Sequence, residues 1–208
     1  MANAGDTPLY PHKESPSQTA GPYVHIGLTP NFCGIEGVYR SDLGGTMLVT
    51  ETKGERITLE LRVLDGSGTP LRDALVEIWQ ADADGLYPGA SDPRGEADPN
   101  FAGWGRSPAD AETGWIRFET IKPGPVPFSA DRLQAPHINL WIVARGINLG
   151  LNTRLYFDDE AAANTDDPVL ARIEHRDRVK TLIASRDGDT YRHDIHLQGP
   201  NETVFFDI

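Results

Sequence analysis

Apolar and polar positions alternate along much of this chain with the two-residue period of a β-strand. The longest such run is Arg56 to Leu64, which puts Ile57, Leu59, Leu61 and Val63 on one face. Leu75–Gln80, Trp115–Ile121, Thr181–Ser185, Tyr191–Gln198 and Thr203–Phe206 are shorter runs of β-forming residues, and Tyr23–Leu28 is read the same way. The stretch Ala135–Glu160 carries the pattern twice. Ile138, Leu140, Ile142 and Ala144 share one face, and His137, Asn139, Trp141 and Val143 share the other. A polar, glycine-containing turn then leads to a second strand at Asn152–Phe157.

Turn chemistry separates these runs. Asp65-Gly66-Ser67-Gly68, Ala81–Gly85 and Asp187-Gly188-Asp189 are rich in residues that accept tight backbone geometry, and Lys122–Pro127 is a proline-set turn. Residues 85–114 hold many Gly, Pro and Asp and read as one long loop. Asp158–Asn164 and Pro168–Ile173 favour short helices, with Asp166 or Asp167 as N-cap and Pro168 in the first turn. Residues 1–16 contain three prolines and predict an extended arm, followed by a turn at Thr19, Gly21 and Pro22. Many short strands divided by turns predict a mostly β protein: an antiparallel β-sandwich core with loops and short helices. The chain reads as one domain, 1–208, with an N-terminal arm of about 28 residues.

Composition narrows the partners. A net charge of −12 argues against nucleic acid and against an anionic membrane. No apolar run approaches the roughly 20 residues of a membrane span, and the N-terminus lacks the apolar core of a signal peptide. Cys33 is the single cysteine, so no internal disulfide forms. These features together predict a cytoplasmic protein.

The residues alone carry little catalytic signal. No nucleophile elbow, phosphate loop, dinucleotide fingerprint or HExxH helix is present. His193 and His196 are three apart on a strand and face opposite ways, one half-buried and one exposed. His12 and His175 read as solvent histidines, His25 as a packed one, His137 as a satisfied core histidine and Tyr87 as a packing tyrosine. Arg145, just past a buried strand, is either a strand-end charge or an anion clamp. A His-x-His at the head of the Ile138 strand would bring two imidazoles about 7 Å apart, near enough to share a metal; this chain has His137-x-Asn139.

Six segments, in order along nearly the whole chain, carry a resemblance: SPSQTAGPYVHIGL at Ser15–Leu28, VEIWQADADGLY at Val76–Tyr87, DPNFAGWGR at Asp98–Arg106, IKPGPVP at Ile121–Pro127, the Ala135–Glu160 hairpin, and NETVFFDI at the end. With them the sequence resembles the intradiol ring-cleavage dioxygenases, and most closely the iron-free chain of their hetero-oligomeric members. In iron-bearing relatives two tyrosinates and two histidines hold ferric iron, hard donors for a hard ion. The matching positions here are Tyr87, Val126, His137 and Asn139, so a tyrosine and a histidine are gone. Gln134 stands where an arginine is expected, and Arg154 where a glutamine is expected. The resemblance therefore implies a vestigial metal site, with Fe(3+) carried by a homologous β subunit in a higher-order assembly. Thr19, Gly21, Pro22 and Arg145 match the residues that such a chain lends to the wall of its partner's site. The implied reaction is O2 insertion between the hydroxylated carbons of protocatechuate, a small aromatic acid, to give 3-carboxy-cis,cis-muconate. Two other readings remain at this point: a β-sandwich binding or carrier module without an enzymatic partner, and a self-sufficient enzyme with another metal geometry.

Overall fold

The computed structural model describes residues 19–89, 92, 94–148 and 150–207; the arm at residues 1–16, with His12, lies outside them. The strands among the described residues are β1 (Arg56–Leu64), β2 (Leu75–Trp79), β3 (Trp104–Pro108), β4 (Ile116–Ile121), β5 (Val126–Ser129), β6 (Arg132–Gln134), β7 (His137–Val143), β8 (Leu151–Phe157), β9 (Ile183–Asp187) and β10 (Thr190–His196). Two α-helices accompany them, α1 (Pro22–Leu28) and α2 (Ala161–Asp166), with 3-10 turns at Asp158–Glu160, Leu170–Arg172 and Arg176–Leu182.

Eight strands form one sheet in the order β3-β2-β7-β8-β9-β10-β1-β4, and β5 and β6 form a separate hairpin. The large sheet folds over on itself, as the core shows. Ile57, Leu59, Leu61 and Val63 of β1, Ile116 and Phe118 of β4, and Tyr191 and Ile195 of β10 pack with Val76, Ile78, Ile138, Leu140, Ile142, Leu155 and Phe157 from the other half. The alternating face read in β1 and β7 is thus the core face in both, and burying it supplies the main driving force for the fold. The two halves meet where β8 and β9 pair, at Tyr156–Ile183 and Phe157–Ala184.

The sandwich is not wholly antiparallel. β1 pairs with β10, and β8 with β9, in parallel. Residues 158–182 cause the second case: they carry the chain from the end of β8 back to the head of β9. A parallel neighbour needs such a crossover. That crossover also lays a second apolar cluster over the outer face of β7 and β8, built from Ala135, Tyr156, Leu170 and Leu182 with Val204 and Phe206 beside it.

Several sequence expectations change. Tyr23–Leu28 is helical, not extended: Pro22 opens the helix after an extended Gly21, and none of its residues is buried. The pleated pattern there had no sheet to pack on. The 85–114 loop contains β3, whose glycine and proline hide it from propensity. Gly105 is there for space, since a Cβ would stand 2.6 Å from Met47 Sδ, and Arg106 forms an ion pair across to Glu77 at 2.6 Å. The proline-set turn runs straight into the β5–β6 hairpin. Thr181 and Leu182 belong to a 3-10 turn rather than a strand. Thr203–Phe206 makes no strand, only a single bridge from Phe206 to Asn152. His193 is buried rather than half-buried, on the core face of β10 opposite Leu61, and His196 is half-buried rather than exposed.

Candidate functional site

The head of β7 presents His137 and Asn139 on the outer face of the sheet. Asn139 is flanked by Trp79 of β2 and Arg154 of β8, and His137 by Tyr156 of β8. Tyr87 comes from the loop after β2. Asp82 shapes that loop, its carboxylate accepting the backbone N–H of Leu86 at 2.9 Å and of Asp98 at 2.8 Å. Gly85 lets the loop lie against the proline turn: its φ is +78°, and a Cβ there would sit 2.1 Å from Pro125 O. The Tyr87 ring then stacks on Trp79 with centroids 5.7 Å apart. Asn139 Nδ2 donates to Trp79 O at 3.2 Å and to the Tyr87 hydroxyl at 3.3 Å.

Val126, on β5, lies opposite Gln134 of β6. Gln134 Oε1 accepts from Arg154 Nη1 at 2.7 Å, and the same nitrogen reaches the Tyr156 hydroxyl at 3.4 Å. His137 Nδ1 is 2.8 Å from Ala135 O, and its ring packs against Tyr156 at 5.6 Å. The four positions matched to iron ligands are therefore carried by neighbouring elements, and hydrogen bonds within the protein engage the Tyr87 hydroxyl, Asn139 Nδ2 and His137 Nδ1.

Burial sets the titration of the groups at this end of the sheet. Burial raises the Tyr87 phenol above its ordinary range, with partial relief from the Asn139 hydrogen bond and the Arg154 and Arg94 charges. Burial pushes Tyr156 up to about 12. His137 is held down at about 4, first by burial and then by Arg154. Val126 offers no donor atom, and Asn139 offers only an amide where an imidazole is expected. No group of three or more His, Cys, Asp or Glu among the described residues is arranged to hold a metal. These residues do not fit iron.

The second candidate cluster lies at the other end of β7, about 20 Å away at roughly 3.3 Å per residue. Thr19 Oγ1 accepts from the backbone N–H of Gly146 at 2.8 Å, which ties the start of the described chain to the loop after β7. Gly21 and Pro22 follow directly and open α1. His25 Nε2 lies 2.9 Å from Asp73 O, and Arg106 Nη1 donates to Leu28 O at 3.2 Å. Arg145 is 79% exposed and meets Asp73 at 3.3 Å. Thr19, Gly21, Pro22 and Arg145, chosen from separate parts of the sequence, thus share one patch. The sequence reading missed Asp73, an ordinary loop aspartate whose role appears only when α1 packs on it. The segment after α1's first residue also leaves apolar side chains in solvent, among them Tyr23 (85%), Val38 (56%), Val49 (49%) and Phe32 (48%).

Residues 30–199 match the family model described as Dioxygenase. Over 94% of its length the chain is 46% identical to the protocatechuate 3,4-dioxygenase alpha chain of Pseudomonas putida, 96% of which is covered. It is 37% identical to the protocatechuate 3,4-dioxygenase beta chain of Burkholderia cepacia over 74% of this chain and 68% of that one. Among solved structures, the 3-chlorocatechol 1,2-dioxygenase of Rhodococcus opacus 1CP aligns with a TM-score of 0.56 at 22% identity, covering 78% of this chain and 68% of that one. At that identity the last match speaks for the fold alone.

Proposed function

Since this chain belongs to the dioxygenase family of intradiol ring-cleaving enzymes, we propose that it is the α chain of a protocatechuate 3,4-dioxygenase and works as a subunit with a homologous β chain. We read residues 1–208 as one domain with an N-terminal arm, in a cytoplasmic enzyme. No helix among the described residues is long and apolar enough to cross a membrane, which is compatible with that placement. The β chain holds Fe(3+) in this reading. The α chain contributes Thr19, Gly21, Pro22 and Arg145 to the wall of the pocket in which protocatechuate is opened with O2 to 3-carboxy-cis,cis-muconate.

The observation that carries the reading is the contrast between the two ends of β7. At the end matched to the iron ligands Val126 has no donor atom, and the Tyr87 hydroxyl, Asn139 Nδ2 and His137 Nδ1 are held in hydrogen bonds within the protein. The other end offers an exposed guanidinium beside a helix-opening Gly-Pro, within a segment rich in exposed apolar side chains. The carrier-module alternative explains neither that surface nor the near full-length match to an α chain.

Arg145 tests the assignment. Its single described ionic partner, Asp73, is at 3.3 Å with 36% side-chain exposure, so the pair is weak and the guanidinium is available to an anion. Replacing Arg145 with Ala in the αβ complex should raise KM for protocatechuate about tenfold or more, the loss of a charged hydrogen bond of roughly 1.5–3 kcal/mol. Catechol, which lacks the carboxylate, should change little, and iron content should not change. Equal effects on both substrates would assign Arg145 a structural role. A further expectation concerns the chain purified without its partner: metal analysis should find no stoichiometric iron and no visible tyrosinate band. One tightly held iron per isolated chain would overturn the proposed role.

A further inference from the structure

We infer that His25 and Asp73 are positioning residues for the proposed pocket wall: His25 pins α1 to the backbone of Asp73, and the Asp73 carboxylate holds the Arg145 guanidinium. This rests on reading Arg145 as part of that wall and adds how it is kept in place. Asp73 lies in the turn before β2, and Leu75 pairs with Val143 at the end of β7, so the turn runs beside the loop that carries Arg145. From there Asp73 reaches two ways. Its carbonyl oxygen lies 2.9 Å from His25 Nε2, and its carboxylate stands 3.3 Å from Arg145 Nε. A carbonyl only accepts, so Nε2 carries the proton in the first bond. His25 Nδ1 is buried and has no partner among the described residues, which leaves the ring this one polar tie.

The pin matters because little else holds α1. The helix has seven residues and none of them is buried, and so short a helix does not persist by itself in water. Three long-range polar ties fix the Thr19–Leu28 segment among the described residues. Thr19 Oγ1 accepts from Gly146 at 2.8 Å, His25 donates to Asp73 O at 2.9 Å, and Leu28 O accepts from Arg106 at 3.2 Å. The first two flank Gly21 and Pro22 and end on the residue after Arg145 and on its ionic partner. Together they set the spacing between the Gly21–Pro22 backbone and the Arg145 side chain. That side chain is 79% exposed, and a long side chain in solvent spreads over many rotamers. The Asp73 pair is weak, but it favours the rotamers that keep the guanidinium beside the start of α1.

Steady-state kinetics of the αβ complex test this. Asp73→Asn keeps the carbonyl that His25 uses and removes only the charge. It should raise KM for protocatechuate about two- to fivefold, the range an exposed ion pair supports, with kcat and the KM for catechol little changed. His25→Leu should move the same constant in the same direction and speed hydrogen exchange across Thr19–Leu28. His25→Gln, whose amide can donate from the place of Nε2, should recover both. In an Arg145→Ala background neither Asp73→Asn nor His25→Leu should raise KM further, because each acts through Arg145. Effects that multiply in that background overturn the inference, as do equal effects on both substrates. So does a lower KM in Asp73→Asn, which would make Asp73 a competitor of the substrate for the guanidinium. Should His25→Leu break the complex, as its assembly mass would show, the Asp73→Asn measurements decide by themselves. An Arg145→Ala complex with wild-type KM for both substrates would instead strike the pocket-wall reading, so the two failures are distinguishable.

Discussion

Acidification from pH 6.5 to pH 4 should loosen this chain from within, by about 3 kcal/mol for each of two buried histidines. His193 and His137 are both held down at about 4, in each case first by burial. Asp194 pulls His193 up and His196 pushes it down. Arg154 pushes His137 down, while the Ala135 carbonyl and Asp167 pull it up. The sign follows from linkage: an imidazole that resists protonation only when folded stabilises the fold fully above its unfolded value near 6.5. That contribution is lost as pH falls toward 4, where the unfolded chain takes up protons and the folded one does not. Asp159 is likewise held at about 2, chiefly through Lys122, Arg186 and Tyr191 working against its burial. Its contribution is lost only in a lower window, as pH falls from about 4 toward 2.

Hydrogen exchange of the αβ complex, corrected for intrinsic rates, reads this directly. Peptides covering β10 and the head of β7 should keep constant protection above pH 7 and lose it steeply between 6 and 4.5. His193→Gln should flatten the β10 response while leaving that of β7. Protection independent of pH across this window would mean that these histidines reach water or a proton-accepting partner.

Replacing Asp167 with Ala should cost about 4 kcal/mol, one of the larger single-residue losses available in this molecule. Asp167 is fully buried. One carboxylate oxygen accepts the backbone N–H groups of Val169 and Leu170 at 2.8 and 2.7 Å, which caps the turn after Pro168. The other accepts the N–H of Ala135 at 2.8 Å, across the cluster and two residues before His137. Truncation leaves three backbone donors without an acceptor, two of them buried, at roughly 1–3 kcal/mol each, and also removes the acceptor of the Tyr156 hydroxyl at 3.5 Å. Asp167→Asn, which keeps an acceptor oxygen, should recover part of the loss, and Asp189→Ala on the exposed β9–β10 turn should cost less than about 0.5 kcal/mol. Denaturant unfolding should rank the three in that order; an Asp167→Ala midpoint equal to that of Asp189→Ala would refute the bridging role.

Alternation with a period of two determined β1 and β7 and their core faces from the sequence alone, because side chains on a strand must point to opposite sides whatever surrounds them, and runs of β-forming residues located β2, β4, β8 and β10. Turn chemistry placed Asp65–Gly68 and Asp187–Asp189 for the same local reason. The motif match, read residue by residue, supplied Tyr87, Val126, His137 and Asn139 before any coordinates. What depends on distant partners was not legible. β3 is a strand because β2 and the Glu77–Arg106 pair make it one, against the preferences of Gly105 and Pro108. Tyr23–Leu28 is a helix because no sheet edge receives it. The parallel pairing of β8 with β9 follows from the path of residues 158–182, and hydrophobic pattern does not encode path. His193 lies in the core through register with Leu61, though its sequence neighbours are charged. Only the fold sets Arg154, distant in sequence from Val126 and Tyr87, against Gln134 and Asn139. Only the fold carries Thr19 to Gly146, beside Arg145, because these contacts join residues that the chain keeps far apart and that tertiary packing alone brings within a few ångströms.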